Sequence, residues 1–128
     1  MKEVMAVIRM EMINKTKEAL LKEGFPAIHC KKVMGRGKQK VDFTLIEKFI
    51  ADGIEYNYPS AAEAISEGHR LIPKRLISVV VKDEEVKKVV DAIISVNSKG
   101  KPGDGKVFVL PVIDSIRVRT GETGEAAI

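Results

Sequence analysis

The residues of this chain best suited to chemistry are cations set among glycines. One run, Gly100-Lys101-Pro102-Gly103-Asp104-Gly105-Lys106, concentrates three glycines and two lysines. Glycines permit backbone angles that turn successive N–H groups into a concave anion nest, and they let a ligand approach the main chain. A flanking Lys adds a point charge suited to phosphate. The Gly-Lys-Ser/Thr ending of a Walker A loop is missing, and a solvated turn would have the same composition. A second run, Gly35-Arg36-Gly37-Lys38-Gln39-Lys40, has two glycines among three cations and could equally be the neck of a loop. The third feature is the pair Arg117 and Arg119. On a strand they would share a face, where two guanidiniums repel unless they are solvated or hold an anion such as a polyphosphate. An exposed basic edge strand accounts for them as well.

Other chemistries lack material. His29 and His69, with Cys30 beside the first, do not make a metal-ligand spacing. No Ser-His-Asp or Cys-His arrangement is legible, and two histidines leave little for acid–base work. Glu84 and Glu85 fall at a helix start, where the macrodipole explains them. Phe25 and Phe108 read as core, which removes the aromatics a base-stacking surface would need.

The elements that must position these features follow from periodicity. Val4–Met10 reads as a strand. Asn14 could cap a helix over about 15–23, with Ile13, Thr16, Ala19 and Leu20 inward and Gly24 as the stop. Ala27–Met34 is a weaker strand. After Lys40 the pattern degrades for about thirty residues, although Thr44–Glu47 and Ser60–Glu63 have capping-box spacing. Loops of that size in compact domains are usually functional or disordered. Arg75–Val81 is a strong strand, and Asp83 should cap a helix whose inward face is Val86, Val89, Val90, Ile93 and Ile94. Lys106–Pro111 is a fourth strand, and Ile113–Thr120 a further extended piece. The order β-α-β-(excursion)-β-α-β predicts an α+β, ferredoxin-like split βαβ fold, an antiparallel sheet with two helices on one face.

Composition bounds the rest. The chain has 128 residues, 45% of them hydrophobic, which suits one domain and excludes a disordered chain. No window approaches ~20 apolar residues, so no membrane insertion is expected. The start of the chain has no signal-peptide h-region, and a single Cys favours the cytoplasm. The net charge of +4 hides a partition: residues 41–72 carry six acids against Lys48 and Arg70, a net of −4, leaving +8 on the remainder. A basic body with an acidic insert suggests a local anion site at least as well as a polyanion surface.

Gly100 to Val109, followed by Ile116-Arg117-Val118-Arg119-Thr120-Gly121-Glu122 and a closing Ala126-Ala127-Ile128, resembles the C-terminal signature of the PII nitrogen-regulatory signal proteins. Gly35 to Lys40 resembles the neck leading into that family's T-loop, and Pro73-Lys74 its far end. The similarity covers residues 1–40 and 73–128. The resemblance implies one domain over 1–128, with a T-loop at about 38–73 and a C-terminal strand or tail at 113–128. It implies a trimer with ATP or ADP in the clefts between subunits. Gly35, Gly37, Lys38 and Gln39 would line the nucleotide site, with Val80 and, weakly, Ala27, Ile28 and His29. Gly103, Asp104, Gly105 and Lys106 would wrap the phosphates, and Arg117 and Arg119 would reach them from the neighbouring subunit.

The family also senses 2-oxoglutarate through a Mg²⁺ ion held by ATP, the effector and the neck glutamine, here Gln39. Lys74 would pair with the distal carboxylate, with Arg9 and Lys40 as lesser candidates. Lys38 stands where the family usually has Arg. Gly53-Ile54-Glu55-Tyr56 echoes the family's uridylylation motif, placing Tyr56 at the modified position in an altered context. The long T-loop resembles that of the Nif-specific PII-like proteins, in which two paralogous chains cooperate to inhibit dinitrogenase. The expected function is therefore a non-enzymatic nitrogen regulator, a homotrimer or mixed oligomer acting on a nitrogenase component without direct nucleic-acid contact. Control of an ammonium transporter is the alternative within the family. A basic ferredoxin-like RNA-binding module and a nucleotide-using enzyme built around Asp104 are the alternatives outside it.

Overall fold

Val4, Ala6 and Ile8 alternate with Met5, Val7 and Arg9, so a strand through them must bury one set and offer the other. A computed structural model of the protein describes residues 1–37 and 71–128. It places that strand, β1, at Lys2–Arg9, with Val4, Ala6 and Ile8 buried. The remaining strands are β2 (His29–Gly35), β3 (Ile72–Val81) and β4 (Lys106–Pro111). They form one sheet in the order β2-β3-β1-β4, with β1 antiparallel to both β3 and β4. Helices α1 (Ile13–Lys22) and α2 (Val86–Asn97) supply Leu20, Val89, Ala92 and Ile93 to a core completed by Ile77, Val79 and Val81 from β3. This is the expected ferredoxin-like arrangement. Residues Met1–Val33 and Pro73–Ile128 make one compact unit, which holds this core, and Met34–Ile72 make a second. The expected helices at Thr44 and Ser60 lie outside the described residues.

Several local expectations are corrected. Asn14 does not cap α1. The chain passes from β1 through a 3-10 turn at Met10–Met12 directly into Ile13, leaving Asn14 exposed inside the first helical turn. The stop is as expected: Gly24, at φ +93°, sends its N–H to Leu21 O (3.0 Å) while Phe25 N–H reaches Leu20 O (2.9 Å), a Schellman closure.

Asp83 does not cap α2 either. A 3-10 turn at Asp83–Glu85 precedes the helix, and the Glu85 carboxylate accepts the Lys82 N–H at 3.0 Å. The Asp83 carboxylate is instead 2.9 Å from the Met1 amino terminus, which holds its pKa below the usual value. Ile94 is half exposed rather than inward, because the buried stripe runs through Val89, Ala92, Ile93 and Asn97. Asn97 is the polar member of that stripe. Its Nδ2 donates to Ile93 O (2.8 Å) and to Thr16 Oγ1 (2.9 Å), and Thr16 donates to Met12 O (2.7 Å). One buried chain of hydrogen bonds thus ties α2 to α1.

The piece at Ile113–Thr120 is not a strand. It forms a tight reversal closed by an isolated bridge between Ile116 and Thr123 and by Arg117 N–H to Glu122 O at 2.8 Å. Gly121 and Gly124, both at positive φ, permit the turn. Phe108 is not core: it sits opposite Met5 on the sheet face away from the helices and is 47% exposed.

Candidate functional site

Strand direction brings three cations to one place. In an antiparallel sheet the end of β1 lies beside the starts of β3 and β4. Arg9, at the end of β1, stands opposite Lys74 of β3, and Val7 stands opposite Lys106 of β4. The period of two puts Val7, Arg9, Lys74 and Lys106 on the face away from the helices. The same face carries Val80, opposite Glu3, so Val80 shares a surface with these cations.

The glycine-rich connection from α2 to β4 closes over this end of the sheet. Gly100, Gly103 and Gly105 all adopt positive φ, as an anion nest requires. Gly105 has a second constraint: an added Cβ would lie 2.2 Å from the Val7 carbonyl oxygen. The loop is pressed against the β1 main chain there, and only glycine fits.

Asp104 organises the connection from within. Its Oδ2 accepts the Lys99 N–H at 2.7 Å and the Lys101 N–H at 3.3 Å, while its Oδ1 takes Arg9 Nη1 at 2.5 Å. The second Arg9 nitrogen donates to Pro102 O at 3.2 Å, and Lys74 Nζ donates to Gly103 O at 3.0 Å. Held first by the Arg9 guanidinium and then by the Lys99 amide, the carboxyl falls from its ordinary value of 3.8 to about 2. Two residues first considered for an effector carboxylate, Arg9 and Lys74, are here struts of the loop. Beneath it, a cleft of about 350 Å³ is walled by Ile8, Ile93, Ile94, Asn97 and Val107.

The other expected residues are distributed as follows. Ala27 and Ile28 precede β2 and His29 opens it; Ile28 packs against the core and His29 is exposed. Gly35 ends β2, and among the described residues a Cβ added at Gly35 or Gly37 would meet nothing within 4 Å. Lys38, Gln39, Lys40 and Tyr56 lie outside the described residues. Arg117 and Arg119 do not share a strand face. The Arg117 guanidinium turns back on its own reversal, paired with Glu122 and donating to Ala126 O at 2.9 Å, whereas Arg119 lies exposed in the turn. Among the described residues no group of three His, Cys, Asp or Glu could hold a metal ion, and no helix is long and apolar enough to cross a membrane.

Sequence reasoning missed the Arg9–Asp104 pair and the Thr16–Asn97 bridge. The signal for the first was available: Arg9 alternates with buried residues on a central strand, so its side chain must emerge at the strand end where the loop arrives.

The family model for nitrogen regulatory protein P-II matches residues 1–122. A protein of Methanothermobacter marburgensis called nitrogen fixation nifHD region GlnB-like protein 2 is 44% identical, with both chains covered in full. Its namesake from Methanothermococcus thermolithotrophicus is 47% identical, over all of this chain and 98% of its own. A nitrogen regulatory protein P-II from Cereibacter sphaeroides is 37% identical over the full length of both. Among solved structures, Arabidopsis thaliana PII bound to citrate superposes with a TM-score of 0.70 at 32% identity, covering 98% of this chain and 87% of that one.

Proposed function

The chain belongs to the P-II family of nitrogen regulatory proteins, and from that premise we propose that it is a nucleotide- and 2-oxoglutarate-responsive regulator of nitrogenase. The observation that carries the reading is a loop with three positive-φ glycines and the lysines at 101 and 106, braced over the end of the sheet by Arg9 and Lys74. That arrangement suits a polyphosphate far better than a neutral ligand. The relatives named for the nitrogen-fixation nifHD region favour a nitrogenase component as the target.

In this reading the protein is one PII-like domain with a T-loop at about 38–73, acts in the cytoplasm, and assembles as a trimer or with a paralogous chain. ATP or ADP occupies clefts between subunits. Gly35, Gly37, Lys38, Gln39, Val80, Gly103, Gly105 and Lys106 line each cleft, with Ala27, Ile28 and His29 at its edge. Arg117 and Arg119 arrive from the next subunit. The exposed position of Arg119 is compatible with a role toward another chain. Gln39, together with ATP and 2-oxoglutarate, would hold Mg²⁺, which would offset the charge of a triphosphate and a dicarboxylate set side by side. Lys74, whose ammonium keeps two donors beyond its bond to Gly103 O, meets the distal carboxylate of the effector, with Arg9 and Lys40 as lesser candidates. Effector binding draws Gln39 and the T-loop away from the inhibitory pose, a population shift between two loop states. No turnover is required, so the protein acts as a regulator and not as an enzyme.

Isothermal titration of 2-oxoglutarate with and without Mg-ATP tests the coupling. Heat of binding should appear only with Mg-ATP present. Binding that ignores ATP would sink the proposal. If the same titration succeeds but purified dinitrogenase is not inhibited by the protein, with or without its paralogue, the target is wrong and the sensor stands.

A further inference from the structure

We propose that Asp104 is a positioning residue for the phosphate site, shaping the 99–105 loop through Arg9 without meeting the ligand. The inference rests on the nucleotide reading above. A carboxylate in a loop meant for polyphosphate has the wrong sign, and like charges at contact distance cost energy even in water. The geometry resolves the conflict. Three of the roughly four lone-pair directions of this carboxylate are filled, by Arg9, Lys99 N–H and Lys101 N–H. Its charge is matched by a guanidinium that also grips Pro102 O. Asp104 thus fixes the main chain ahead of Pro102, at Lys99 and Lys101, while Arg9 holds Pro102 O and Lys74 fixes Gly103 from the adjacent strand. The loop is held from the sheet by two cations and from within by one anion. The lysines at 99, 101 and 106 remain as its net charge.

This arrangement separates two effects that usually act together. Asp104→Asn keeps the side chain's shape, removes one negative charge beside the ligand, ends the ion pair with Arg9, and sets an NH2 donor against either the Arg9 guanidinium or the Lys99 and Lys101 amides. If electrostatics alone mattered, ATP would bind more tightly, and more so with Arg9 released. If Asp104 acts by positioning, ATP binds more weakly despite the lost repulsion. We expect a loss of roughly tenfold, about the effect on affinity of losing one net hydrogen bond to the phosphates.

The test is titration of wild type, D104N, R9Q and the double variant with Mg-ATP, alongside melting of each nucleotide-free protein. The expected result is weaker binding by each single variant and a double variant no worse than the weaker single, as for two groups acting as one unit. D104N should melt within about 10 °C of wild type at neutral pH, the most that loss of the Arg9 ion pair accounts for. Unchanged or tighter binding by D104N would overturn the inference. So would additive losses in the double variant, or a larger fall in melting temperature that makes the defect one of folding. Failure of the wild type to bind ATP would overturn the nucleotide reading itself, and this inference with it.

Discussion

Asp104 carries its charge in the one place on the loop where three donors meet it, and the consequence reaches beyond ligand binding. Its folded pKa of about 2 lies below the ordinary 3.8, so folding favours the ionised form. The associated stability is fully present above about pH 4 and is lost as pH falls through about 2. Melting temperature should therefore drop more steeply between pH 4 and pH 2 in wild type than in D104N. Asp83, also lowered, contributes equally to both proteins and cancels in the comparison. Parallel curves would mean that the Arg9 contact does not persist in solution. At this scale the glycine-rich loop was legible from composition alone. Its inner geometry was not, because Arg9 and Asp104 are 95 positions apart and only strand direction brings them together.

Between elements, the Thr16–Asn97 bridge replaces what would otherwise be apolar contact between α1 and α2. Thr16 is fully buried and Asn97 nearly so, at 5% exposed. Thr16→Val keeps the volume but removes one acceptor from a buried amide, which should cost about 1–3 kcal/mol. Asn97→Leu leaves Thr16 Oγ1 and Ile93 O without their Nδ2 donor but also removes the buried, unpartnered Asn97 Oδ1, so it should cost no more than Thr16→Val. The double variant should lose less than the sum, because neither polar group remains unpaired. Urea unfolding of the four proteins measures this, and strictly additive losses would refute the coupling. The elements themselves were readable because β1, β3 and α2 repeat their apolar residues at the periods of strand and helix. Reading failed where hydrogen bonding decided. Asn14 has the right chemistry for a cap, but the 3-10 turn at Met10–Met12 starts the helix before it. At 113–120 the alternation of apolar and basic residues resembles a strand, yet two positive-φ glycines just beyond it turn the chain back.

For the molecule as a whole, the helices cover one face of the sheet and leave the other with Met5, Val7, Leu76, Val80, Phe108 and Leu110. Phe108 at 47% and Leu110 at 37% exposed are large apolar groups for a free surface. In the proposed trimer this face is the one to be covered. Phe108→Glu should therefore shift sedimentation from trimer toward monomer, with the fold retained by circular dichroism. A variant that stays trimeric would place the contact elsewhere. The partition of charge fits the same picture. The part of the chain outside 41–72 carries +8, and three of its cations, Arg9, Lys74 and Lys106, come together at one end of the sheet.

The register of β3 on β1 has a consequence for descent. It runs from Lys74 opposite Arg9 to Val81 opposite Lys2, and burial of Ile77, Val79 and Val81 keeps it in place. Nothing in that pairing counts the residues between β2 and β3. Whole segments inserted, shortened or exchanged within 38–70 would leave Lys74 arriving opposite Arg9. A single residue gained or lost inside β3 would instead bring Pro73 or Arg75 to that position and turn its core residues outward. Changes of length or composition between β2 and β3 can thus accumulate while the anchorage of β3 on β1 is inherited unaltered.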